Sequence, residues 1–459
     1  MRREPWTAYR EPNNSRFAVH GSRSKVQSAP HRPVAPDGYH IETLPSGPGL
    51  VVRPMPQAQS VAVGVWARAG GRYESAERAG ISHFLEHLLF KGTRRRSCEQ
   101  LKRHIEGVGG SLNGFTAEEF TCYMAKVPHR YTRRAIDVLA DMIGQPTLKA
   151  QDLEKEREVI LEEIRMYEDS PGQLVHDLLS QLLWPNHPLG MLLSGTIDTV
   201  RRITRSDVVD YWRQMYHPRN VLVAIAGQCD PTVVRREVAR VFHRRPGRPR
   251  YRFLHAPRPR RGPQVRIWKK ATEQTHVCVG TYAIPRTHPG RFALELLHVV
   301  LGANMSSRLF REVREKRGLV YEVGTQIKRF DDTGAFVISA GCDAGKLAAT
   351  LDTIRTELAK IRRVLVPEAE LRRAKDYYAG QLVMGLEDTM DHMLWMGEQA
   401  IAVGRIGRPD ALLAHVQRVT PSDIRRVARQ LFVTPKMHVA IVGPVSDLET
   451  HRLARLCEL

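Results

Sequence analysis

RITRSDVVDYWRQMYHPRNVLVAIAG, residues 202–227, lies without a gap over RVTPSDIRRVARQLFVTPKMHVAIVG, residues 418–443. Both stretches read as a T-x-S-D start, a helix-period run, a turn, and a β-branched strand closing on Gly. Thr204 and Thr420, or Ser206 and Ser422, offer the side-chain oxygen that caps the orphan N–H groups of such a helix. A match at an offset of 216 residues means that one supersecondary plan is used twice. Outward from it, SVAVGVWARAG (residues 60–70) and HVCVGTYAI (276–284) alternate as strands. EEFTCYMAKV (118–127) and GAFVISAGCD (334–343) are further strands, each followed by a helix. The expected class is therefore α+β. It comprises two homologous αβ halves of about 200 residues, each an antiparallel-dominated sheet with helices packed on one face.

Between the halves, HRRPGRPRYRFLHAPRPRRGP (243–263) is basic, Pro-rich and without period, hence a linker. It divides the chain into a first half over residues 38–242 and a second over 264–459. Residues 1–36 carry seven basic side chains against Glu4 and Glu11 with almost no apolar periodicity, which predicts a disordered basic tail over residues 1–37. Glu4, Glu11 and Pro5 argue against an amphipathic, acid-poor mitochondrial presequence, and no apolar signal core precedes the first strand.

The formal net charge is +21, from 70 Lys and Arg against 49 Asp and Glu. Such a charge invites a nucleic-acid partner. The arginines, however, are spread along the whole chain and accompany no DNA- or RNA-binding motif, so no nucleic-acid role is expected. Nor does any apolar run approach the ~20 residues of a membrane span. Six cysteines, none in a C-x-x-C pair, read as reduced and mostly buried thiols of an intracellular protein. The compartment expected is the bacterial cytoplasm, with the mitochondrial matrix as the alternative.

Chemistry concentrates in GISHFLEHLLFKGT, residues 80–93. On a helix, positions i, i+3 and i+4 are neighbours. His83, Glu86 and His87 therefore share one side of a turn and a half, while Ile81, Leu85, Leu88 and Leu89 bury the other. This is H-x-x-E-H, the inverse of the commoner zinc-protease order. Two imidazoles can grip one metal ion with the carboxylate aimed at water on its open side. The competing reading is a buried helix whose histidines bond to backbone. A third ligand decides between them, since catalytic zinc takes three protein ligands and keeps one position open. LEKEREVILEEIRMYED (153–169) supplies candidates: Glu156 and Glu163 lie two turns apart on one helix face, and Glu163 borders Ile160 and Ile164. Its neighbour Glu162 competes for the same role.

HFLEHLLFKGT followed by EREVILEE resembles the pitrilysin/insulinase superfamily of inverted-motif zinc metallopeptidases. The resemblance is closest to the processing-peptidase branch, which contains the mitochondrial processing peptidase β subunit and its bacterial homologues. It covers residues 38–456 and implies two halves enclosing a chamber. It implies one Zn²⁺ per chain, held by His83, His87 and Glu163, the last standing 76 residues past His87. Glu86 is then the catalytic base, and Glu156, seven residues before Glu163, supports the site. The implied activity is zinc-dependent endopeptidase cleavage of oligopeptides or of extended, unfolded polypeptide. The implied assembly is a homodimer or a heterodimer with a related subunit. A non-catalytic or partner-dependent subunit of a processing-peptidase-like complex is the alternative, whose sign would be erosion of the ligand set. Here every ligand and the base are present.

The second half repeats the place of the metal helix as RFALELLHVVLG (291–302), with His298 alone and no second imidazole. It offers something else in MSSRLFREVREKRGLVYEVG (305–324), where Arg314 and Tyr321 stand seven apart. On composition alone, Arg314 is a solvated helix charge among Arg311, Lys316 and Arg317, and Tyr321 a packed strand aromatic. The resemblance gives the pair a role: Arg and Tyr at this spacing complete the active site from the other half, as donors to a developing oxyanion. In GGSLNGFTAEEFTCYMAKV (109–127), Gly109 and Gly110 make a turn ahead of an alternating strand. The resemblance makes this an edge strand that pairs with extended substrate. Asn113 matches the family, whereas Gly114 stands where Ala is commoner.

Overall fold

The computed structural model describes residues 38–243, 247, 249, 254–258 and 262–445. The expected tail (1–37), most of the expected linker and residues 446–459 lie outside the described residues. Among those described, eleven strands form two sheets: β1 (His40–Thr43), β2 (Gly49–Pro54), β3 (Ser60–Ala67), β4 (Ser111–Thr116), β5 (Thr121–Pro128), β6 (Val221–Gly227), β7 (Gln264–Lys269), β8 (Thr275–Ala283), β9 (Val320–Arg329), β10 (Gly334–Cys342) and β11 (Met437–Gly443). The first sheet runs β1-β2-β6-β3-β5-β4 and the second β7-β11-β8-β10-β9. Without β1 the two orders superimpose. Each has a single parallel pair, β2 with β6 and β7 with β11, and is otherwise antiparallel. The fold is thus the expected α+β arrangement of two homologous αβ halves, each with an antiparallel-dominated sheet.

The duplicated segments behave alike. Thr204 caps the helix Arg205–Met215 by accepting from the Asp207 N–H, and Thr420 caps Pro421–Leu431 from Asp423. The threonines, not the serines, are the caps. Each is reciprocated by the Asp three residues on, in the capping-box arrangement. The strands that follow, β6 and β11, are buried at every position, which requires cover on both sheet faces.

One face of each sheet carries helices of its own half, as expected. Among the described residues, the opposite face carries a single helix from the other half. Helix Thr389–Val403 places Met393, Met396, Ala400 and Ile401 against Ala62, Trp66, Leu222 and Ala224 of the first sheet. Helix Pro171–Leu183 reciprocates with Leu174, Leu178 and Leu179 against Cys278, Tyr282 and Ala440 of the second. Room for these crossings is made by two glycines at the repeat offset. A Cβ on Gly64 would collide with Met393, and one on Gly280 would come within 2.7 Å of Leu179 Cδ2. Polar ties reinforce the exchange: Tyr39 OH lies 2.7 Å from His392 Nε2, and Lys126 donates to Asp388 at 2.5 Å. The exchanged helices make the halves one packed body, and among the described residues β4 and β9 are outer strands with no strand beside them, as are β1 and β7 at the opposite edges.

All five described cysteines are free, and Cys122, Cys278 and Cys342 are buried. No helix among the described residues is long and apolar enough to cross a membrane.

Candidate metal centre

Helix Ile81–Leu89 is driven inward by Phe84, Leu85, Leu88 and Leu89, which join the core of the first half. Its start has no side-chain cap from the residue that precedes it. Gly80 holds φ at 93°, and a Cβ there would sit 2.5 Å from the Ser194 carbonyl oxygen, so the position needs glycine. The buried carboxylate of Glu74 accepts the N–H groups of Gly80 (2.7 Å) and Ser82 (2.8 Å), satisfying donors that the first turn leaves orphaned. The helix is thereby fixed in rotation, and its polar stripe faces the helix Ala150–Asp169. That second helix is anchored by Leu153, Ile160, Leu161 and Ile164, and by Arg157, which donates to the carbonyls of Val200 and Ile203.

Where the two helices meet, His83, His87 and Glu163 each offer one ligand atom, all within 4.8 Å of one another. Both imidazole Nε2 atoms lie 3.7 Å from Glu163 Oε2. A tetrahedral ion with bonds of about 2.0–2.1 Å separates its donors by roughly 3.3–3.4 Å, so Glu163 stands within a few tenths of an ångström of the ligand spacing to each imidazole. Glu163 Oε2 is buried without a hydrogen-bond partner among the described residues. An acceptor left in that condition calls for a cation. Burial, aided by the neighbouring His87, pushes the His83 imidazole down to about 4, so it is neutral and able to ligate at physiological pH. Glu162, the competitor, points outward to Arg165. The residues present therefore fit a divalent ion of the zinc type.

Around the triplet, Glu156 Oε2 lies 3.2 Å from His87 Nδ1. A carboxylate at that nitrogen holds its proton and leaves Nε2 as the ligand. Glu156 is in turn held by Lys91 at 2.5 Å. Glu86, on the same helix face as the ligands, accepts a 2.6 Å hydrogen bond from Thr116 Oγ1 at the end of β4. Burial raises its carboxyl above the ordinary range, with Thr116 and His87 opposing and Glu163 adding to the rise. A carboxylate tuned towards neutrality suits proton transfer.

β4 is the outer strand of its sheet and runs beside Glu86. A Cβ at Gly114 would stand 3.3 Å from Glu86 Oε1 and 3.2 Å from Phe90 Cζ. The absence of a side chain there keeps Glu86 uncrowded, which gives the Gly-for-Ala departure a physical reason. Asn113 accepts the Gly114 N–H through its own side chain at 2.8 Å.

Arg314 and Tyr321 lie in the second half and contact each other, the guanidinium 5.4 Å from the Tyr321 ring and 4.6 Å from Phe310. Among the described residues, no hydrogen bond or ion pair joins them to the metal triplet. Arg314 sits in a π-helical turn, Phe310–Glu315, a distortion common at functional sites. Its neighbours Arg311, Lys316 and Arg317 all pair with Glu312. Arg314 forms no ion pair among the described residues. Tyr321 is 74% exposed at the start of β9. His298, the lone imidazole of the second half, is occupied by Thr325 of β9 at 2.7 Å.

Two residues of this site escaped the sequence reading, and both left a signal. Lys91 lies one turn past His87 in the same quoted run, and Thr116 shares the Gly114 face of β4 by the two-residue period of a strand.

Comparison with known proteins finds matches in both halves of the chain. Residues 50–197 match the family described as insulinase (peptidase family M16), and residues 202–378 match the peptidase M16 inactive domain. An uncharacterized zinc protease of Streptomyces coelicolor is 38% identical over 418 residues, covering 90% of this chain and 91% of that one. An uncharacterized zinc protease of Bacillus subtilis is 35% identical, covering 88% and 98%. Among solved structures, a protease from Helicobacter pylori superimposes with a TM-score of 0.84 at 22% identity, over 88% of this chain and 99% of that one. A peptidase M16 inactive domain from Pseudomonas fluorescens gives 0.81 at 18% identity, over 89% and 98%. These two likenesses establish the fold.

Proposed function

The chain belongs to the insulinase family of peptidases, family M16, and we propose that it is a zinc-dependent endopeptidase acting on oligopeptides or extended, unfolded segments, in the manner of a processing peptidase. The observation that carries this reading is the meeting of His83 Nε2, His87 Nε2 and Glu163 Oε2 beside a buried carboxylate, Glu86.

Zinc, one ion per chain, would polarise the scissile carbonyl and render water acidic near neutral pH. His83, His87 and Glu163 would hold the ion. Glu86 takes a proton from the attacking water and passes it to the departing amine, so the carboxylate is regenerated with each turnover. Thr116 fixes the orientation of Glu86 while Glu156, braced by Lys91, holds His87 in the ligating tautomer. The outer edge of β4, with no strand beside it among the described residues, offers its backbone to an extended peptide, which would add as a further strand past Asn113 and Gly114. Such a mode needs an unfolded substrate and reads backbone before side chains.

Tyr321, with Arg314 beside it, donates to the oxyanion when substrate spans the two halves. Tyr321→Phe is expected to lower kcat by ~10² with zinc content unchanged, as for loss of one oxyanion donor. Steady-state kinetics with parallel metal analysis measures this, and an unchanged kcat would remove Tyr321 from the reaction. We place the protein in the bacterial cytoplasm, acting as a homodimer or with a related subunit.

The test of the reaction class is to incubate purified chain with a library of extended peptides and map products by mass spectrometry. Internal cuts are expected. Trimming confined to the termini would contradict an endopeptidase.

A further inference from the structure

Arg72 is 0% exposed, an uncommon state for an arginine, and the metal site does not use it. It lies at the junction of the two halves. Its backbone N–H donates to the carbonyl of Glu118 at 2.8 Å, in the turn that joins β4 to β5. Its Nη1 donates to Glu119 of the same turn at 2.5 Å, and its Nη2 to Asp332 at 2.5 Å. Asp332 belongs to the corresponding turn of the second half, between β9 and β10. The two turns also bond directly, because the Asp331 N–H donates to Glu119 Oε1 at 3.0 Å. Arg286 of the second half approaches the other oxygen of Glu119 at 3.1 Å. The Leu254 carbonyl, on the segment between the halves, accepts from Nε and Nη2 of Arg72 at 3.3 and 3.1 Å.

One guanidinium thus ties together the tips of the two hairpins whose outer members are the edge strands β4 and β9. The guanidinium spreads its donors over three nitrogens and so reaches acceptors on two turns and a connecting segment at once, whereas an ammonium offers all its donors from a single nitrogen. The tie lies close to the chemistry along β4. Thr116, which holds Glu86, is the last residue of that strand before the clasped turn. On the other side, Lys328 near the end of β9 lies 3.7 Å from Glu118.

We propose that Arg72 is a positioning residue that locks the two edge-strand hairpins into one frame, so that a long extended substrate meets β4 and β9 at fixed separation. This rests on the reading that β4 receives substrate as an added strand. A short peptide at the metal site meets β4 alone, whereas one long enough to reach across to β9 depends on the spacing that the clasp fixes. The clasp therefore governs binding of long substrates, and the chemical step stays with Glu86 and the metal triplet.

Asp332→Asn is the informative change, because Asp332 is partly exposed and its loss leaves Arg72 and Glu119 paired. Arg72→Lys, which keeps the charge but not the fork, is the companion variant. With fluorogenic peptides of about four and about twelve residues, both variants are expected to raise KM for the long peptide about tenfold. Their kcat should stay within about twofold, the signature of lost uniform binding. The short peptide and the zinc content should be unaffected. Hydrogen exchange should quicken in residues 111–116 and 320–329 together. Equal effects on both peptides, no effect on either, or exchange confined to one strand would overturn the proposal. If the wild-type chain cleaves neither peptide, the peptidase reading fails, and the exchange result still decides whether Arg72 couples the two strands.

Discussion

Glu86→Gln is expected to bind zinc in full and to cleave peptides about 10²–10⁴-fold more slowly, the usual contribution of a positioned general base. The substitution is nearly isosteric. A Gln oxygen can still accept from Thr116 Oγ1, now 2.6 Å from Glu86, and the residue stays on the buried side of the helix. What disappears is a group able to take a proton. Because Glu86 belongs neither to the triplet nor to its supporting pair, metal content should not change. Burial holds the Glu86 carboxyl above its ordinary range, so the wild-type rate should fall as pH drops and the base becomes protonated, while the variant loses that limb. Kinetics across pH with zinc analysis measures both. Activity within tenfold of wild type would assign the proton transfer to another residue.

His87→Ala should abolish both zinc binding and detectable cleavage. This imidazole offers Nε2 to the triplet and Nδ1 to Glu156, so the change removes a ligand and strands the carboxylate that orients it. Two ligands, His83 and Glu163, remain, one fewer than catalytic zinc sites use. The fold should persist, since His87 is only partly buried and the core contacts of its helix come from Phe84, Leu85 and Leu88. Circular dichroism with metal analysis separates loss of metal from loss of structure. One zinc per chain in a folded His87→Ala protein would exclude this ligand set.

Much of this architecture was legible because a gapless repeat is insensitive to tertiary context. The capped helix and strand of residues 202–227 recur at 418–443 and fold alike. The helix exchange was not read. Its sign was the continuous apolar run of β6, buried on both faces where a one-faced strand would alternate. Nothing local specifies that Thr389–Val403 covers the first sheet and not the second. That choice is made by shape, through Gly64 and Met393 at one crossing and Gly280 and Leu179 at the other.

At the metal site, spacing on a helix fixes which side chains share a face, so His83, Glu86 and His87 were legible, and Glu163 nearly so. Choosing it over Glu162 needed the rotation of the second helix, which Arg157 and the apolar stripe set. Thr116 and Lys91 act across elements, and Arg72 acts across halves. Partners of that kind are defined by packing between segments remote in sequence.

The proposed peptidase requires one ion bound where two helices cross. Native mass spectrometry of the purified, folded chain, combined with elemental analysis, measures it directly. One zinc per chain, removed by chelation together with peptide cleavage and restored with it, is the predicted result. A folded chain that takes up no zinc, or that cleaves peptides equally well after the metal is stripped, would contradict it.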